Sequence, residues 1–159
     1  MQYIFDLDHT VIDSSHRQLT LADGSLDLAH WVENCTREKI FADSLLPLAT
    51  EMRDLIAKNR SVIVCTARVM SEHDHDFLVS HGLAPDAILS RPLGDCTSDH
   101  LLKERLIREY CAARFLSFAR FCQTSVMFDD NQNVNAHLAS FGINTQCAIR
   151  VNKMLTSAA

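Results

Sequence analysis

Residues 2–10 read Gln2-Tyr3-Ile4-Phe5-Asp6-Leu7-Asp8-His9-Thr10. Tyr, Ile and Phe in succession suit a short strand buried on both faces, the mark of a parallel sheet. The run leads straight into two carboxylates spaced two residues apart. On an extended chain such residues face the same side. Asp6 and Asp8 are therefore expected together at the carboxyl end of a parallel strand, where open α/β sheets bind ligands. Two neighbouring carboxylates repel unless a proton or cation stands between them. A hard divalent ion such as Mg²⁺ meets that need.

Working outward, Ser61–Cys65, Ala87–Leu89 and Ser125–Phe128 read as further short strands, with a fifth at Thr145–Ile149. Helical patterns lie between them. Ser44 is placed to cap a helix whose Leu45, Leu48, Met52, Leu55 and Ile56 share one face, with Pro47 in its tolerant first turn. Ser71 to His81 reads as a second helix ended by Gly82. Ser98 opens a long third one running to about Phe121, and Asn131 to Phe141 a fourth. Strands alternating with helices predict an α/β fold built on a doubly wound parallel sheet. Residues 14–43 fit this rhythm poorly and read as a small cap inserted after the first strand.

The chain has 159 residues, enough for one domain with a substantial core. Its 47% hydrophobic and 22% charged residues exclude a disordered or collagen-like chain. A net charge of −5 argues against extended duplex binding, which wants a basic surface. No apolar run approaches membrane-spanning length, and the chain opens on a strand pattern where a signal peptide would be apolar. Six cysteines without a Cys-x-x-Cys pair imply reduced thiols. A cytoplasmic protein with no membrane partner is expected.

The other element ends carry matching chemistry. The second strand runs into Thr66-Ala67-Arg68, and the strand at Ser125–Phe128 into Asp129-Asp130. Lys103 falls in the first turn of the third helix. Acid pair, hydroxyl with arginine, lysine and second acid pair together describe a site for a phosphate held by a metal ion and protein cations.

In order and spacing these residues resemble the haloacid dehalogenase superfamily of phosphotransferases. Its motifs are Asp-x-Asp-x-Thr/Val after the first strand, Ser/Thr after the second, a Lys or Arg, and a terminal acidic pair. The resemblance implies a phosphatase with a Rossmann-like sheet. It implies Asp6 as the nucleophile that forms an aspartyl-phosphate, and Asp8 as the acid and then base. Thr66 would donate to the phosphoryl group and Lys103 would neutralise it. Mg²⁺ would be held by Asp6, the Asp8 carbonyl and Asp130, with Asp129 the other candidate ligand. His9 departs from the glycine usual at its position.

A narrower resemblance runs through Cys65–Arg68, Ser90–Asp95 and Thr97–Glu104 to the phosphatase domain of bacteriophage polynucleotide kinase. It implies substrate contacts from Arg68 and Thr10, and structural, capping or salt-bridging work for Arg91, Asp95 and Asp99. It makes a polynucleotide 3′-phosphatase the first expectation. A 5′(3′)-nucleotidase for mononucleotides is the second, and a non-catalytic binding protein of the same fold the third. The expected partner is accordingly a phosphorylated nucleotide or a nucleic-acid end. A small cap leaves room for the latter, or leaves a small substrate to be enclosed by a partner copy in a homo-oligomer. Trp31 and Phe41 are placed either to stack on a base or to pack the cap onto the core. Glu72-His73-Asp74-His75-Asp76 reads as a solvated helix face, because histidines two apart do not share one side of a helix.

Overall fold

The structure, a computed structural model, describes residues 1–158. In chain order its elements are β1 (Gln2–Phe5), β2 (Ile12–Asp13), α1 (Leu28–Glu33), α2 (Arg37–Phe41), β3 (Ser44–Leu45), α3 (Leu48–Ala57), β4 (Ser61–Thr66), α4 (Glu72–Ser80), β5 (Ala87–Ser90), α5 (Asp99–Ala113), α6 (Phe118–Gln123), β6 (Ser125–Asp129), α7 (Gln132–Ala139), β7 (Asn144–Cys147) and α8 (Ala148–Ala158). Five strands form one parallel sheet in the order β5-β4-β1-β6-β7. The expected α/β architecture is what the chain adopts.

Strand side chains alternate between two cores, as the pleat requires. Phe5, Val62 and Val64 face a layer that includes Met52 of α3, Phe77 and Leu78 of α4 and Ala148 of α8. Ile4, Ile63, Cys65 and Met127 face Leu102, Ile107 and Cys111 of α5, Cys122 of α6 and Val134 and Leu138 of α7. With β1 at the centre, the end of the first motif lies between the ends of β4 and β6. All six cysteines are free thiols, of which Cys96 is exposed. No described helix is long and apolar enough to cross a membrane.

Three local expectations need correction. Ser44 caps no helix: with Leu45 it pairs antiparallel to Ile12–Asp13, and α3 starts after Pro47. The first N–H of α3, from Leu48, is satisfied from afar by the Asn152 side-chain oxygen at 2.8 Å. The long third helix breaks in two. Phe115 turns into the left-handed region (φ 55) and is 98% exposed, and Ser117 then caps α6 by accepting from the Arg120 N–H. The last strand stops at Cys147, and the chain continues as α8, whose Ala148, Val151 and Leu155 pack on the first core.

The segment 14–43 lies outside the main sheet. Asp13 pairs with Ser44 across its neck. Inside it, a bridge between Thr20 and Leu26 spans a turn that Gly24 makes at φ +84, followed by α1 and α2. Helix α1 buries none of its residues and α2 buries Ile40 alone. The segment is fastened instead by charge: Arg17, 1% exposed, meets both oxygens of buried Asp43 at 2.9 Å each.

Candidate active site

A tight loop follows β1. The Leu7 carbonyl accepts from the N–H groups of Thr10, Val11 and Ile12 at 3.0–3.1 Å, and the His9 N–H donates to the Ile12 carbonyl at 2.8 Å. This winding puts His9 at φ 57. That conformation crowds a Cβ and is free of cost only for glycine, which explains the glycine of the resembled family. Asp6 and Asp8 project from the two ends of the loop's first turn.

Asp6 is buried and its Oδ1 accepts from Lys103 Nζ at 2.7 Å. The same ammonium donates to Asp129 Oδ2 at 2.6 Å. Lys103 is the fifth residue of α5, one turn further in than expected, and is 2% exposed. Asp129 is fully buried, and its second oxygen accepts from the Asn131 N–H at 2.9 Å. Carboxylate oxygens of Asp6, Asp129 and Asp130 lie within 4.8 Å of one another. One ammonium thus faces a cluster of carboxylates, and the balance of charge is negative. Burial, opposed by Lys103 and reinforced by Asp129, pushes the Asp6 carboxyl up to about 7. Burial and the charge of Asp6 push Asp130 up to about 6. Crowded, desolvated oxygen donors of this kind fit a hard divalent cation. Asp6, Asp129 and Asp130 each offer a donor to one, and Asp129 is the most deeply buried of the three.

Asp8 turns away from that cluster. Its Oδ1 accepts from Arg68 Nη2 and from Ser14 Oγ, each at 2.5 Å, and its Oδ2 accepts from Arg68 Nε at 3.1 Å. Burial would raise its pKa, but Arg68 and Ser14 outweigh burial and hold the carboxyl below the usual range. Arg68 also donates to Asp74 Oδ1 at 2.6 Å and approaches Asp43 Oδ2 at 3.8 Å. A further chain leads outward: Ser14 Oγ accepts from Gln18 Nε2 at 3.0 Å, and Gln18 Oε1 lies 3.1 Å from His9 Nε2.

Two residues expected to touch substrate are turned inward. Arg68 is 5% exposed and spends its nitrogens on Asp8 and Asp74. Thr10 is fully buried beneath Asp6, its Oγ1 at 3.4 Å from Asp6 Oδ2. Thr66 ends β4 at 1% exposure, and its Oγ1 accepts from the Arg68 N–H at 3.1 Å. Arg91 is structural. It donates to the carbonyls of Ala67, Asp95 and Thr97 and to Asp99, tying the β5 end to the start of α5.

The buried network also contains residues the sequence reading passed over. Asp74 was assigned to a solvated face, yet it is 4% exposed because it closes a capping box with Ser71 while holding Arg68. The Ser71-x-x-Asp74 spacing was the available signal. Nothing local marks Ser14, Arg17, Asp43 or Asn152. Asn152 of α8 donates to the Thr10 carbonyl at 2.9 Å and so braces the loop after β1 from 142 residues away.

Comparison with known proteins bears on this geometry. A family model described as bacteriophage T5 5′-deoxynucleotidase matches residues 1–159. The chain belongs to that family. A curated member, the 5′-deoxynucleotidase of Escherichia phage T5, is 32% identical over 169 residues, covering 96% of this chain and 69% of the relative. Among solved structures, one from the Pnkp1/Rnl/Hen1 RNA repair complex superposes with a TM-score of 0.62 at 19% identity. That match covers 91% of this chain, which spans only 41% of the other. A haloacid dehalogenase-like hydrolase from Streptococcus pneumoniae gives a TM-score of 0.61 at 12% identity, covering 96% and 91% of the two chains. These two likenesses establish the fold. The family membership makes the protein a phosphoric monoester hydrolase, on the fold of the haloacid dehalogenase-like structure.

Proposed function

We propose that this 5′-deoxynucleotidase family member hydrolyses the 5′-phosphate of deoxynucleoside monophosphates, with Mg²⁺ as cofactor and through an aspartyl-phosphate on Asp6. The full-length family match carries the substrate class. It favours the mononucleotide expectation over the polynucleotide 3′-end, for which only a likeness of fold remains.

In this reading Asp8 first takes up a proton from solvent, an Asp6 carboxylate oxygen attacks phosphorus, the P–O5′ bond breaks, and the leaving oxygen takes that proton from Asp8. Water then attacks the phosphorus of the acyl phosphate, Asp8 removes its proton, and inorganic phosphate leaves with Asp6 restored. Arg68 and Ser14 favour the ionised Asp8 that the second half requires. Lys103 favours the charged form of Asp6 and aims it, and Thr66 donates its hydroxyl to a phosphoryl oxygen. Mg²⁺ held by Asp6, Asp130 and the Asp8 carbonyl would supply the charge neutralisation that lets a carboxylate approach a phosphate dianion. Segment 14–43 acts as a small cap over this site, and Arg68 orients Asp8.

The test is kcat/KM with Mg²⁺ for deoxynucleoside 5′-monophosphates, their 3′-isomers and a 3′-phosphorylated oligonucleotide. Preference for the 5′-monophosphates is expected. A preference for the oligonucleotide would overturn the substrate assignment while leaving the chemistry at Asp6 in place.

A further inference from the structure

We infer that Trp31 is the platform on which the base of the substrate stacks. The indole belongs to α1, which buries none of its own residues. Its neighbours Leu28 and Val32 are 67% and 71% exposed, so packing does not explain why an aromatic side chain is held here. Charge holds it: the Arg17 guanidinium carbon sits 4.1 Å from the ring centroid and that of Arg68 5.5 Å. Both arginines meet Asp43, at 2.9 and 3.8 Å, which places them on one side of the ring. The indole is only partly buried, and the two guanidiniums account for contact on one side of it. An aromatic face fixed by buried charges costs little rotamer freedom on binding, which favours stacking.

The position suits a nucleoside 5′-phosphate. Arg68 reaches both Trp31 and the carboxylate of Asp8, the group that faces the leaving O5′. The indole and the Asp8 carboxylate thus have Arg68 as a common neighbour, a separation that a nucleoside can span. Phe41, the other aromatic of the segment, is spent on packing: its ring meets Phe77 edge-on at 5.7 Å and carries Arg37 at 4.4 Å.

This inference rests on the nucleotidase reading, and the experiment separates the two. Deoxyribose 5-phosphate has the same leaving oxygen as a deoxynucleotide and lacks the base. Trp31→Ala should lower kcat/KM for a deoxynucleoside 5′-monophosphate by roughly 5- to 100-fold, the range of base–aromatic stacking. The loss should fall mainly on KM, clearly exceed any loss on deoxyribose 5-phosphate and be largely restored in Trp31→Phe. Trp31 is the one tryptophan of the chain, so its fluorescence reports directly. In the Asp6→Asn protein it should be quenched by the nucleotide and not by deoxyribose 5-phosphate. Equal losses on both substrates, or no quenching by nucleotide, would overturn the platform alone. Absence of any activity on deoxynucleoside monophosphates would overturn both readings.

Discussion

Arg68 grips both carboxylate oxygens of Asp8, Nε on one and Nη2 on the other, while its third nitrogen is held by Asp74. The side chains of Arg68 and Asp74 are 2% and 3% exposed. A buried ion pair is a weak source of net stability, but removing one partner strands the other. Arg68→Ala is expected to cost on the order of 3–5 kcal/mol by that argument. Asp74→Asn, which keeps a hydrogen-bonding oxygen, should cost less. Urea denaturation of the three proteins decides this, and an Arg68→Ala protein as stable as wild type would refute the buried-clamp account.

The two carboxylates of the first motif should separate kinetically. Asp6→Asn removes the nucleophile and is expected to abolish turnover of every phosphomonoester without unfolding the chain, since Lys103 keeps Asp129. Asp8→Asn should lower turnover of a deoxynucleotide by about 10²–10⁴-fold. It should lower that of p-nitrophenyl phosphate far less, because the leaving phenolate needs no proton. Steady-state rates on the two substrates make the comparison. Equal losses would remove Asp8 from the protonation step.

Asp130 offers a pH signature. Its carboxyl is raised to about 6 in the folded chain, by burial and by Asp6, from an ordinary value of 3.8. A raised acid contributes stability that is complete below the ordinary value and is lost as pH rises through the folded one. In chelator, Asp130→Asn should therefore raise the melting temperature at pH 7.5 and leave it nearly unchanged at pH 4.5. With Mg²⁺ at pH 7.5 the order should reverse, wild type gaining more than the variant. Scanning calorimetry in four conditions tests both halves.

Asn152 supplies a prediction far from any motif. Its side chain satisfies the Leu48 N–H and the Thr10 carbonyl together. Asn152→Ala leaves both without that partner and should destabilise by about 1–3 kcal/mol for each group left unsatisfied. Because Thr10 belongs to the loop that carries Asp6, kcat should fall as well. Wild-type kcat in a destabilised variant would confine Asn152 to the fold.

The sheet was legible because strands buried on both faces write themselves as apolar runs, and those runs end in the acids and hydroxyl of the site. What escaped was set by tertiary contact. Ser44 reads as a cap until Ile12–Asp13 claims it as a strand partner. Phe115 carries no sign that it will turn left-handed and end a helix. The buried charges Arg17, Asp43 and Asp74 look like surface residues in one dimension, since each is tolerable only through a partner 6 to 26 residues away. Arg68 was seen, but its direction was not: a sequence shows that an arginine stands near a phosphate site, not which carboxylate claims it first.

Every group assigned to the chemistry comes from the ends of β1, β4 and β6 or from α5, and none from the outer strands β5 and β7. Cooperative opening in proteins begins where few contacts hold the backbone. In deuterated buffer the amides of Asn144–Cys147 should therefore exchange well before those of Gln2–Phe5, which are hydrogen-bonded strands on both sides. An excursion that frees an edge strand leaves β1 paired to both of its neighbours, and with it the nucleophile at its end. On that expectation the nucleophile is sheltered by its place in the middle of the sheet, and the first motions fall to strands that carry no chemistry.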